Sequence, residues 1–179
     1  AITAETGENE AMHSADGVRR VRQIFSTGHE LIGDTITSIT MNLKKGGSPT
    51  GTATVGIYDS SDNLKADFGS IDSATLTTSF VATTFNYVSG DSSIANGESI
   101  QIRFSGGSSG NTVQWQMGTS TLSNTQGGYY DDSWTVRSHS ATMSVTHGTA
   151  SVASVPAGTR YEETDTRKIY RLKATSGSG

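Results

Sequence analysis

The chain has 179 residues, no cysteine, 17 % charged residues and a formal net charge of −4. That length buries a sizeable core without disulfides or metals, and the mild acidity excludes the basic field that nucleic-acid binding requires. Apolar runs are only a few residues long, so no membrane insertion and no secretory apolar segment are expected. Thr, Ser and the 21 Gly dominate the composition, which suits short strands joined by tight turns. Absence of cysteine fits a cytosolic protein or an extracellular one built without disulfides. The Thr/Ser/Gly enrichment favours a virion, extracellular or cell-surface setting, and a start at Ala1 rather than Met reads as processing or truncation.

Ala1 to Gly17 is polar, with Glu5, Glu8, Glu10 and Asp16 and almost no periodic apolar signal. It reads as an N-terminal arm (1–17), either loose or ordered only against a neighbouring subunit. Val18-Arg-Arg-Val-Arg-Gln-Ile-Phe25 follows and is assigned as a first strand, although its spacing also fits two helical turns. Further strands are expected at Ile36 to Leu43, Thr52 to Tyr58, Phe80 to Tyr87, Ser99 to Phe104, Thr112 to Met117, Trp134 to Arg137 and Ala141 to Thr146. The clearest alternation is Ile39, Met41 and Leu43, then Ala53, Val55 and Ile57. Turn clusters separate the runs, among them Asp59-Ser-Ser-Asp-Asn63 and Gly127-Gly128. The rhythm predicts an all-β, antiparallel β-sandwich of jelly-roll type over 18–146. A linker is expected at 147–157, a C-terminal β-hairpin at 158–173 and a flexible tail at 174–179. In the hairpin, Thr159 to Glu163 would face Arg167 to Leu172 and bring acidic and basic side chains together.

Catalytic patterns are weak. Gly106-Gly-Ser-Ser-Gly110 has Gly-x-Ser-x-Gly spacing, yet it lies between two strands instead of opening a helix, so it reads as a loop. The four histidines show no zinc spacing. Asp59 and Asp62 place oxygen ligands on one turn that calcium would accept, although a plain turn prefers the same residues. No other cofactor is expected. Trp115, Tyr129, Tyr130 and Trp134 sit in the second half, with Asp131 and Asp132 beside three of them. Flat rings next to carboxylates suit sugar rings, which makes Tyr129, Tyr130, Asp131, Asp132 and Trp134 the candidate ligand site. The competing reading buries both tryptophans in the core. Tyr129 and Tyr130 follow two glycines in an expected loop, which would expose at least one ring.

Two stretches carry a family resemblance. Gly47-Ser-Pro-Thr-Gly-Thr-Ala-Thr-Val-Gly-Ile-Tyr-Asp59, with Phe68 to Ser79 and Ile100-Gln-Ile-Arg-Phe104, resembles the jelly-roll modules of large surface and virion proteins of archaea, bacteria and their viruses. Gly158-Thr-Arg-Tyr-Glu-Glu-Thr-Asp-Thr-Arg-Lys-Ile-Tyr-Arg171 resembles a hairpin segment of phage and archaeal-virus structural proteins, where it joins one β module to the next. The resemblance implies a non-enzymatic structural or attachment subunit whose partners are copies of itself or other structural subunits. The alternative is a carbohydrate-binding module that adheres to surface glycans.

Overall fold

The computed structural model describes residues 6–13, 19–118, 121–149, 160–163 and 168–171. The first five strands are β1 (Thr6–Met12), β2 (Arg20–Phe25), β3 (Asp34–Gly46), β4 (Gly51–Tyr58) and β5 (Leu64–Asp72). A single 3-10 turn, Ser73–Thr75, leads to β6 (Val81–Asn86), the two-residue β7 (Ser89–Gly90), β8 (Ser99–Gly106) and β9 (Thr112–Gly118). Then come β10 (Thr125–Asp131), β11 (Ser133–Arg137), β12 (Met143–Thr149) and a separate pair, β13 (Arg160–Glu163) and β14 (Lys168–Arg171).

The period-2 pattern explains these strands. Ala53, Val55 and Ile57 of β4 are buried, as are Ile39, Met41 and Leu43 of β3. Ile36 is out of phase with that run yet equally buried. The ladder with β12 accounts for it: Thr146 faces Ser38 and His147 faces Ile36, so Thr37 is the extra residue of a bulge. Each such fully buried Val, Ile or Leu contributes on the order of 1.5–3 kcal/mol.

Eight of the strands form four nested antiparallel pairs: β1 with β9, β2 with β8, β3 with β6, and β4 with β5. One sheet therefore runs β1-β9-β3-β6 and the other β2-β8-β4-β5. A long hairpin rolled once on itself gives this order, which is the jelly roll. Three later strands decorate it. β10 and β11 extend the second sheet beyond β2, and β12 pairs with the first half of β3, on the edge that β9 takes further along. Trp115, Phe25, Phe68, Met12 and several isoleucines fill the space between the sheets. Trp115 donates from Nε1 to the carbonyl of Thr142 at 3.2 Å, so its polar edge is satisfied inside the core.

Several expectations are corrected. The segment assigned to an N-terminal arm (1–17) supplies β1, the first strand of the jelly roll, and Met12 is fully buried in the core. The expected linker (147–157) begins too early, because β12 continues through His147 to Thr149. β5 is a strand in a stretch to which no strand was assigned, and β10 is a strand where the Gly127-Gly128 turn was expected. Residues Ala150–Gly179 form a second compact unit. Within it the hairpin pairs Tyr161 with Tyr170 and Glu163 with Lys168, in the expected antiparallel sense. The remaining linker and the tail at 174–179 lie outside the described residues.

Candidate functional site

The outer face of the second sheet carries the chemistry, and backbone alternation puts it there. Val21, Gln23 and Phe25 of β2 point into the core, which turns Arg20 and Arg22 outward. On β8, Ile100, Ile102 and Phe104 face the same core, which turns Gln101 and Arg103 outward. Register then aligns them. Arg20 lies between Arg103 of β8 and Tyr130 of β10, and Arg22 lies between Gln101 and Gly128. Trp134 of β11 stands beside Tyr130.

The result is a ladder of guanidinium groups on aromatic rings. Arg22 lies 3.8 Å above the Trp134 ring, Arg20 lies 4.4 Å above Tyr130, and Arg103 lies 3.6 Å above Tyr58. Tyr130 and Trp134 meet edge to face, with ring centroids 5.5 Å apart. A Cβ on Gly128 would meet the carbonyl oxygen of Thr135 at 3.0 Å, a tight contact, and would touch Arg22 only at ordinary distance. Asp62, at the turn between β4 and β5, closes one end of the ladder. Its φ of 68° turns the side chain over the sheet, a conformation that Asp tolerates. The carboxylate accepts from Arg20 at 2.6 Å, Arg103 at 2.7 Å and Gln101 at 2.8 Å. Gln101 in turn accepts from Arg103 Nε at 3.0 Å.

Burial sets the electrostatics. Desolvation lowers the pKa of Arg22 and Arg103, and the negative charge of Asp62 opposes that shift in both. Both stay charged, because an arginine starts so far above neutral pH. Burial raises the Tyr58 pKa, while the Arg103 charge pulls it down. At the margin of the ladder a cleft of about 250 Å³ opens among Arg19, Arg20, Thr54, Arg103, Phe104 and Ser105. Arg19 is paired with Asp132 of the β10–β11 turn.

The expected ligand residues divide between two faces. Tyr130 and Trp134 belong to the ladder, and a guanidinium covers one ring face of each. Tyr129 is not in a loop: it is the fifth residue of β10, half-buried against the core. Arg137 lies 4.4 Å above its ring and pairs with Glu10 of β1 at 2.7 Å. Asp131 is exposed at the end of β10, and Asp132 is held by Arg19. Of the tryptophans, only Trp115 is core.

The candidate calcium residues do not converge. Asp59 caps its own turn, accepting from the amides of Ser61 and Asn63 at 2.9 Å each. The Asn63 hydrogen bonds lower its pKa. Asp62 is committed to the arginines instead. Among the described residues no group of three or more His, Asp or Glu side chains is placed to hold a metal ion. Gly106 to Gly110 turns from β8 directly into β9 without a helix.

Sequence reasoning overlooked Arg19, Arg20, Arg22, Gln101, Arg103 and Tyr58. The signal for four of them was present in the polar positions of Arg20-Val-Arg-Gln and Ile100-Gln-Ile-Arg-Phe104. Comparison with family models, with curated proteins and with solved structures finds no match for this chain.

Proposed function

We propose that this chain is a non-enzymatic structural and attachment subunit of a virion or another extracellular self-assembling structure, with copies of itself as its partners. The observation that carries this reading is the outer edge of β6. Among the described residues β6 pairs only with β3. The Tyr87 amide bonds back to Thr37, and alternation then turns the backbone groups of Ala82, Thr84 and Asn86 away from the sheet.

Proteins guard such edges with charge, bulges or brevity. β1 carries two glutamates and a bulge, β7 has two residues, and β11 ends on Arg137. β6, Val-Ala-Thr-Thr-Phe-Asn, has none of these protections. Two copies of β6 running antiparallel would continue the sheet from one molecule to the next without facing like charges. Sedimentation velocity over a range of concentrations tests the reading. The expected result is association that Ala82→Pro abolishes, since proline deletes an outward amide and spares the ladder with β3. A monomer at every concentration would sink it.

A carbohydrate-binding module acting in surface adhesion is the second reading. The arginine–aromatic ladder favours it, since it presents donors and ring edges together on an open sheet face. A monomer that binds glycans would select this reading.

A further inference from the structure

We infer that the outer face of the β10-β2-β8 strip binds an acidic glycan, with Arg22 meeting the carboxylate or sulfate oxygens. This rests on the carbohydrate-binding reading and narrows it to an anionic ligand.

Three observations support it. The first is charge. Arg20, Arg22 and Arg103 point outward on adjacent strands, and among the described residues Asp62 is the one carboxylate bonded among them. That leaves two positive charges in excess, on a chain whose net charge is −4. The second is Arg22 itself. Its charge has no ion-pair partner among the described residues, and its Nε is buried without a hydrogen-bond partner. The contact with Trp134, 3.8 Å from Cζ to the ring centroid, restrains the guanidinium, so less rotamer entropy remains to be lost when an oxyanion docks. A planar, pre-oriented guanidinium matches a carboxylate or sulfate through paired N–H donors.

The third observation bears on neutral sugars. Stacking of a sugar ring needs a bare aromatic face, and Tyr130 and Trp134 each have one face covered by a guanidinium. The rings therefore serve the arginines first. One register step along β2, roughly 7 Å from Arg22, lies the cleft walled by Arg20, Thr54 and Ser105. It offers hydroxyl and guanidinium partners to a neighbouring sugar. An extended polyanion is disfavoured because the rest of the chain is net acidic.

The test is a panel of neutral, carboxylated and sulfated glycans that includes lactose, sialyllactose and lactose 3′-sulfate. Binding is measured at low and high salt on the wild type, Arg22→Gln and Arg22→Lys, with a thermal melt of each. Acidic glycans should bind at least about tenfold tighter than lactose, and added salt should weaken them. Arg22→Gln should lose about tenfold or more, whereas Arg22→Lys should keep part of the affinity through its charge. The sialylated and sulfated arms identify which oxyanion is read. Equal binding of lactose would overturn the inference and leave the glycan reading standing. Undiminished binding by a folded Arg22→Gln would remove Arg22 from the site and overturn the inference, and no binding to any glycan would overturn both the inference and the carbohydrate-binding reading it rests on.

Discussion

The two sheets bury similar side chains and differ in what they turn to solvent. Outside the β9–β3 sheet, hydroxyls and amides bond to one another across the strands. Thr40 meets Thr84 at 2.8 Å, Asn42 donates to Gln116 at 2.9 Å, and Thr37 donates to the carbonyl of Thr146 at 3.1 Å. Of the two lysines near the end of β3, Lys44 stacks on Phe80 and Lys45 donates to the carbonyl of Ala74. Outside the β2–β8 sheet the equivalent positions carry Arg20, Arg22 and Arg103 with Tyr58, Tyr130 and Trp134. The inward positions are what the fold requires, so the outward ones are free to differ. One outer face is a neutral mesh that salt should leave untouched, while the other is a charged ladder that salt should weaken.

The two tryptophans give the largest expected contrast. Trp115 is fully buried behind the neutral face and makes a hydrogen bond inside the core. Trp115→Ala should cost about 3–5 kcal/mol. Trp134→Ala removes a half-buried ring and its cation–π contact, and should cost about 1 kcal/mol. Thermal melts of the two variants decide this, and equal losses would mean that the ladder belongs to the core. Asp62 comes next. Asp62→Asn keeps the shape of the side chain but leaves Arg20 and Arg103 facing each other without a counter-charge. A loss of about 1–3 kcal/mol is expected in urea titrations at low salt. The deficit should shrink as salt is added, because screening relieves the repulsion between the two arginines. A salt-independent deficit would erase the distinction between the faces.

Strands with clean alternation were legible from the sequence, as β4 shows with Ala53, Val55 and Ile57. β1 was not, because its described buried side chains are Met12 and a charged Glu10. Glu10 is satisfied by Arg137 of β11, and no local pattern announces a partner so far along the chain. β5 buries only Ala66 and Phe68 and is irregular where it meets β4, so its signal is faint. β10 looked like a loop because of Gly127-Gly128. Glycine is needed there for close approach, since a Cβ on Gly127 would sit 2.2 Å from the carbonyl oxygen of His139. Of the candidate site, the outward arginines were visible as the polar half of two alternating runs. Their meeting with Tyr58, Tyr130 and Trp134 depends on the register between distant strands, which a single sequence does not state.

The smallest expected effect lies on the neutral face. Thr84 is exposed on β6, and its hydroxyl shares a hydrogen bond with Thr40. Thr84→Val removes that hydroxyl while keeping the branched shape that strands favour. The cost should be about 0.5 kcal/mol or less, because water replaces the lost partner on an exposed surface. Unlike the Asp62→Asn deficit, it should be the same at low and high salt, since neither group is charged. Urea midpoints of Thr84→Val against wild type at both salt levels measure this. If the Thr84→Val deficit also shrank with salt, the field of the arginines would reach through the sandwich to the opposite face. The ladder would then be no local device, and the case for Arg22 as a discrete anion anchor would weaken with it.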